Sequence, residues 1–105
     1  MRNEIALSAE DRALVGDILA REAPGIEVWA YGSRVNGTSS EASDLDLVLR
    51  GVNLRPVSVS IVSRLIDAFD ESSLPIIVDV HDWARMPKAY HEEIGHSYYI
   101  LVPAR

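Results

Sequence analysis

The sequence predicts a small α+β domain, a mixed sheet of about three strands with helices packed on it. Three observations carry that expectation. Leu14, Val15, Ile18 and Leu19 recur at helical spacing behind a capping signal at Ser8. Two short apolar runs, residues 26–31 and 43–50, flank a polar stretch containing glycine, as strands joined by a loop would. A second helical pattern then precedes a third run, residues 74–81, in which polar residues alternate with apolar ones. The 105 residues are expected to form one domain, 1–105.

Taken in order, the elements read as follows. Ser8 stands at an N-cap and Asp11, three positions on, completes a capping-box arrangement. Pro24-Gly25 ends this helix, which spans residues 9–23. Residues 26–31 form the first strand, 33–38 a short helix or turn, 39–42 a polar loop and 43–50 the second strand. Residues 51–55 make a turn. The start of 56–70 is ambiguous, because Val57, Val59 and Ile61 alternate as a strand would. Val62, Leu65, Ile66 and Phe69 recur at helical spacing, and the run is long for a strand, so a helix is expected. Residues 74–81 form the third strand and 82–87 a loop. Residues 88–94 form a short helix with Gly95 just past its end. Residues 98–102 are a last short strand or a docked tail. No repeat, linker or low-complexity segment interrupts the chain.

Composition narrows the function. The chain has no cysteine, which excludes a disulfide framework and a thiolate zinc site and fits a cytoplasmic protein. No apolar run approaches the roughly 20 residues of a membrane helix. Met1-Arg2-Asn3-Glu4 is not followed by the apolar core of a signal peptide. Net charge is −6 and Lys88 is the single lysine. A long nucleic acid needs clustered Lys and Arg against its phosphates, so it is not the expected substrate. A nucleotide remains open, because its phosphates arrive with magnesium.

The stretch from Gly32 to Leu47, GSRVNGTSSEASDLDL, carries the chemistry. Asp44 and Asp46 are two apart in a strand and share one face, roughly 6.5–7 Å apart along the chain. Leu45, Leu47 and Leu49 take the other face. Carboxylates in an apolar strand are costly unless paired or bound to a metal, and two at this spacing can converge on divalent cations. Gly32 permits a tight turn after the first strand. A helix starting at Ser33 would turn free N–H groups and its positive dipole end toward a phosphate. On the third strand Ile77, Asp79 and His81 share one face, which makes Asp79 a third acid in an apolar run.

Plainer readings stand beside these. Asp44 can be a turn residue, Asp46 an edge-strand charge and Asp79 an exposed edge position. His81, Asp82, His91 and His96 read as surface residues, and Trp29 and Tyr31 as core. Trp83 reads as core or as a wall for a base. Glu92-Glu93 reads as a solvated helix face.

The spacing Gly-Ser, three residues, Gly, five residues, Ser-Asp-x-Asp resembles the signature of the DNA polymerase β-like nucleotidyltransferases, in particular the minimal nucleotidyltransferase (MNT) domains that act beside a HEPN-domain partner. The resemblance covers nearly the whole chain and implies the polymerase β-like fold. It implies a magnesium site at Asp44, Asp46 and Asp79, all three catalytic, with Asp79 also a candidate general base. It implies nucleotide contacts at Gly32, Ser33, Gly37 and Ser43. A further phosphate contact at Arg34 is a looser match. The implied activity is transfer of a nucleoside monophosphate, AMP from ATP, to a hydroxyl of a HEPN-domain protein. In such pairs the HEPN protein is an RNase toxin and the MNT protein an antitoxin that adenylylates it. Larger members carry a second, helical domain, so another subunit is expected to complete the site or to be the substrate, and oligomer formation is open. The alternatives are a small-molecule nucleotidyltransferase of the antibiotic-modifying kind, and a toxin-binding module without catalysis. The base, the acceptor and the number of nucleotides transferred are left open.

Overall fold

The sheet has four strands rather than three. In the computed structural model, which describes residues 4–104, helix α1 (Ala9–Glu22) leads into β1 (Glu27–Tyr31), a one-turn helix α2 (Ser33–Asn36) and β2 (Leu45–Arg50). Helix α3 (Val59–Glu71), β3 (Val78–Asp82), α4 (Lys88–His96) and β4 (Tyr98–Val102) follow, with single turns of 3-10 helix at Val52–Leu54 and Trp83–Arg85. Met1, Arg2 and Asn3, part of the stretch weighed as a signal peptide, lie outside the described residues. The order across the sheet is β3-β2-β1-β4. Strand β1 runs antiparallel to both neighbours, while β2 and β3 are parallel and joined through α3, as a parallel pair requires.

The added strand is residues 98–102, read from sequence as either strand or tail. It pairs with β1 through Tyr31↔Tyr98 and Ala30↔Tyr99. The third strand begins four residues later than expected. Pairing with β2 starts at Leu45↔Val78, preceded by a bond from Leu45 N–H to the Ile77 carbonyl. Leu74, ahead of Pro75, is instead a buried core residue outside any strand. Helix α1 begins where Ser8 Oγ accepts from Asp11 N–H at 3.0 Å. Helix α3 begins only at Val59, because Ser58 caps it through Ile61 N–H, and Pro56 and Val57 lie outside any helix or strand.

The strand alternation divides the sheet into two faces. Val28, Ala30, Leu45, Leu47 and Leu49 point into a dry core against Val15, Ile18 and Leu19 of α1 and Leu65 and Phe69 of α3. Each fully buried Leu contributes roughly 1.5–3 kcal/mol, so this face holds the fold together. The opposite face carries Tyr31, Asp46 and Asp79 at one end and an aromatic cluster at the other. There Trp29 stacks on Tyr98 with ring centroids 4.1 Å apart, and Trp83 stacks on His91 at 3.9 Å. The Arg50 guanidinium lies 3.9 Å from the Trp29 ring centre and 4.3 Å from that of Trp83. Glu27 accepts from Arg50 Nε and from Trp29 Nε1, each at 2.9 Å. Val48, flanked in register by Trp29 and His81, is completely buried on this face.

Candidate active site

Strand register brings the acids together. Asp46 is the Cα partner of Asp79 in the parallel pair and of Tyr31 in the antiparallel pair. Neighbouring strands lie about 4.8 Å apart, and residues in register point to the same face. Asp79, Asp46, Tyr31 and Tyr98 therefore form one row across the sheet. Asp44 sits one residue before β2 and is exposed at the rim of this row.

The row carries uncompensated negative charge. Among the described residues, neither Asp44, Asp46 nor Asp79 forms an ion pair or a side-chain hydrogen bond. Burial pushes the Asp46 carboxyl above its usual range. Asp79 and Asp44 push it the same way, against a lowering influence from His81. Burial pushes the Tyr31 phenol up to about 12, with Asp46 and Asp79 adding to the effect, so this group stays a neutral O–H donor.

The turn after β1 is shaped around Asp46. Gly32 has φ 79° and ψ −155°, a conformation that side chains rarely adopt, and a Cβ there would overlap Asp46 Oδ2. Gly32 caps α2 through its carbonyl, which accepts from Val35 and Asn36 N–H, both at 3.0 Å. The Ser33 and Arg34 N–H groups, in the first turn, have no partner inside the helix. The Ser33 hydroxyl makes no bond to the rest of the described chain. Gly37, at φ 86°, closes α2 by donating to the Ser33 carbonyl.

Arg34 is not where a phosphate contact needs it. Its side chain is buried and spends its donors on carbonyl oxygens: Ala6 at 2.6 Å, Ser43 at 2.9 Å, Glu41 at 3.0 Å and Ser40 at 3.4 Å. A guanidinium that collects four carbonyls of the 39–43 loop and the N-terminal segment is a clamp. Ser43 Oγ likewise accepts from Ser40 N–H at 2.9 Å and shapes that loop.

In donor type the row fits magnesium. Hard cations take carboxylate oxygens, and two half-buried carboxylates that no cation of the described residues pairs with are the groups such an ion neutralises. The expected three-acid centre is not closed, however. Among the described residues no three His, Cys, Asp or Glu side chains converge as a metal-binding group. The pair is Asp46–Asp79, with Asp44 at its rim.

A cavity of about 230 Å³ opens beside Asp46, on the side away from β3, between Gly32, Tyr31, Asn36 and the α4 residues Tyr90, Glu93 and Ile94, with Ser97 at its end. Glu93 lies on an exposed helix face, as the sequence predicts, and borders the cavity, whereas Tyr31, which reads from sequence as core, is only half-buried and lines it. The signal for Tyr31 was the alternation of β1: Val28 and Ala30 face inward, so Trp29 and Tyr31 face the acids. Asp82 is a different correction. It is buried rather than on the surface. It accepts from Val57 N–H at 2.7 Å and Ala84 N–H at 3.0 Å and pairs with Arg85, which anchors the loop before α3. His91 is held by its stack on Trp83 and a 2.7 Å contact with the Trp83 carbonyl.

Residues 14–102 match the nucleotidyltransferase domain family. The chain is 37% identical over 98 residues to a probable protein adenylyltransferase, MntA, of Haemophilus influenzae, covering 93% of this chain and 84% of that protein. Its fold is similar to a chain in a crystal structure described as a toxin-antitoxin with AMP-PNP. The TM-score is 0.71 and the identity 17%, over 93% of this chain and 76% of that one. No helix among the described residues is long and apolar enough to cross a membrane. With the Gly-Ser turn, the strand-borne acids and the matched family spanning nearly all of its elements, this chain belongs to the nucleotidyltransferase domain family and is a nucleotidyltransferase.

Proposed function

We propose that this enzyme moves AMP from ATP to a hydroxyl of a partner protein and thereby acts as the antitoxin of a cytoplasmic toxin-antitoxin pair whose toxin is a HEPN-domain protein. The observation that carries the reading is the register match of Asp46 with Asp79 directly beside Gly32. The printed name of the Haemophilus influenzae relative supports protein adenylylation. The description of the structural neighbour supports the toxin partner.

In this reading Asp46 and Asp79, with Asp44 at the rim, hold magnesium, which when bound neutralises charge on the triphosphate. Gly32 and Ser33 lie against the phosphates, with the Ser33 N–H and hydroxyl free to donate. Asp79 takes the proton of the acceptor hydroxyl. The acceptor oxygen then bonds to the α-phosphorus, the bond from that phosphorus to the bridging oxygen breaks, and pyrophosphate leaves. Arg34 and Ser43 act one step back, by holding the loop that leads into Asp44 and Asp46.

The test is incubation of the chain with ATP labelled at the α-phosphate, with magnesium and the co-expressed partner. Label bound covalently to the partner, and absent with Asp46→Asn, is the expected result. Label on a small alcohol or aminoglycoside instead would favour the antibiotic-modifying alternative. No transfer to any acceptor, with the toxin still neutralised, would favour binding alone.

A further inference from the structure

We propose that residues 5–7 are a working part of the site: a strap that, through Arg34, positions both the Gly32-Ser33 turn and the loop leading into Asp44, so that loosening it weakens nucleotide binding. This inference rests on the placement of the nucleotide given above and adds to the site a segment that carries none of its acids. Ala6, at the centre of the strap, stands 28 positions before Arg34.

Neither the turn nor the loop holds its own shape. Helix α2 is four residues long, and one isolated turn does not persist, because nucleating a helix costs more than its few bonds return. None of residues 37–44 is buried, so the loop has no apolar anchor in the core. Polar contacts fix it instead, and one side chain supplies three of them: Arg34 donates to the Ser40, Glu41 and Ser43 carbonyls.

The strap grips Arg34 from the other side, by backbone and side chain together. Ala6 N–H donates to the Arg34 carbonyl at 2.7 Å, and the Arg34 guanidinium donates to the Ala6 carbonyl at 2.6 Å. Ala6 is exposed, so burial of its side chain does not explain this pairing. Its neighbours supply the anchor, since Ile5 and Leu7 are half-buried and pack against the core. Leu7 N–H donates to the Ile5 carbonyl at 2.9 Å, which makes a γ-turn centred on Ala6. Four carbonyls from two segments therefore converge on one guanidinium that is 8% exposed. The guanidinium fork is rigid and planar. A shift of Ala6 thus shifts the fork, and the fork shifts the loop ahead of Asp44. Residues that hold a metal site in place without touching the metal typically cost 10–100-fold in affinity or activity when removed.

Ala6→Pro is the narrowest perturbation. Among the described residues the non-glycine positions with positive φ are Asn53 and Leu54, so Ala6 has a negative φ and centres an inverse γ-turn. A proline ring accepts that φ, and the variant deletes only the Ala6 N–H bond to Arg34. Arg34→Ala removes the fork, and Arg34→Lys replaces it with a single ammonium that cannot span four carbonyls. Phe69→Leu, which loosens the core under α3, controls for destabilisation alone.

Two measurements on the full chain test the strap. Hydrogen exchange without nucleotide should be faster at residues 38–44 in Ala6→Pro and Arg34→Ala than in wild type, and unchanged there in Phe69→Leu. Calorimetric titration with ATP in magnesium chloride should show binding weakened about 10–100-fold in Arg34→Ala. Ala6→Pro should lose about three- to tenfold, the loss of one hydrogen bond, with Arg34→Lys between wild type and Arg34→Ala. Wild-type exchange and affinity in both Ala6→Pro and Arg34→Ala would overturn the strap. So would faster exchange with unchanged ATP affinity, or equal losses in Phe69→Leu, and each of these leaves nucleotide transfer standing. Failure of the wild-type chain to bind ATP removes the nucleotide placement, and this inference with it.

Discussion

At one end of the open sheet face, Glu27, Trp29, Arg50 and Trp83 satisfy one another; at the other, Asp46, Asp79 and Tyr31 do not. The two ends lie on the same strands, a few residues apart. Glu27 accepts two bonds and faces a cation, and that cation sits on two indole rings. Asp46 faces another acid across the sheet, has no ion-pair partner among the described residues, and holds its proton more strongly than an ordinary aspartate. Burial is partial at both ends, so solvent access does not explain the contrast. Structural polar groups are paired because unpaired ones cost stability. A cluster left unpaired is one whose partner arrives from outside. Removing a group should therefore cost activity at the acid end and stability at the aromatic end.

The largest effect is expected at the acid pair. Asp79→Asn keeps the shape of the side chain and removes its charge. Transfer should fall by about 10²–10⁴-fold, the range typical of a lost general base. Asp46→Asn should abolish detectable transfer while the protein melts no lower than wild type, because removing one of two neighbouring like charges relieves repulsion. Labelled transfer and thermal melts on the same preparations check both halves. Near-normal activity in either variant would break the contrast between the two ends.

Gly32 should show the next effect, on stability and on binding together. Its positive φ costs a β-branched residue about 1–2 kcal/mol, and crowding of Asp46 adds about 1–3 kcal/mol. Gly32→Val should therefore lose roughly 2–5 kcal/mol in urea unfolding. Its folded fraction should bind ATP weakly even with every acid present. Unchanged ATP affinity in a folded Gly32→Val protein would show that the turn does not approach the phosphates.

What could be read from sequence follows the range of the interaction. Asp44-x-Asp46 and the alternation around Asp79 placed each acid on a face, since that depends only on strand period. The pairing of Asp46 with Asp79 depended on the parallel crossover through α3, which joins residues 33 positions apart. Tyr98–Val102 stayed ambiguous because its five residues are nearly all apolar and show no period, so only pairing with β1 makes it a strand. Arg34 misled because a cation beside Gly-Ser looks the same whether it meets phosphates or carbonyls. Its choice is made by the fold of the 39–43 loop around it. Asp82 reads as surface from sequence because one partner, Val57, is 25 positions away and the other, Arg85, meets it only once the 3-10 turn has formed.

The aromatic end supplies the converse test. Arg50→Ala removes two cation–π contacts worth about 0.5–1 kcal/mol each and an ion pair that is mostly shielded from water. Together with the stranded Glu27 carboxylate, the loss should be roughly 2–3 kcal/mol, read from urea unfolding. Transfer per folded molecule, measured well below the melting temperature, should stay within about threefold of wild type. A loss of transfer comparable to that of Asp79→Asn, with stability intact, would move this cluster from scaffold to site.

The smallest effect is a slope of stability with pH, and its sign is diagnostic. Asp46 has a folded pKa above its unfolded one, so between the two values the folded protein binds more protons than the unfolded chain. Stability must then fall as pH rises from the ordinary aspartate range through the raised value, the reverse of the behaviour of a salt-bridged aspartate. Because Asp46 is only half-buried, solvent screening keeps the amplitude small. Melting temperatures taken in steps from about pH 4 to pH 7 should show a decline in wild type that Asp46→Asn flattens. Asp79→Asn should flatten it in part, since Asp79 is the largest charge raising the Asp46 pKa. Magnesium added at the upper end should recover stability in wild type and not in Asp46→Asn, because a cation bound to the ionised pair stabilises the folded state by mass action. An identical slope in wild type and Asp46→Asn would mean that the carboxylates are individually solvated, and the contrast between the two ends of the sheet face would lose its electrostatic basis.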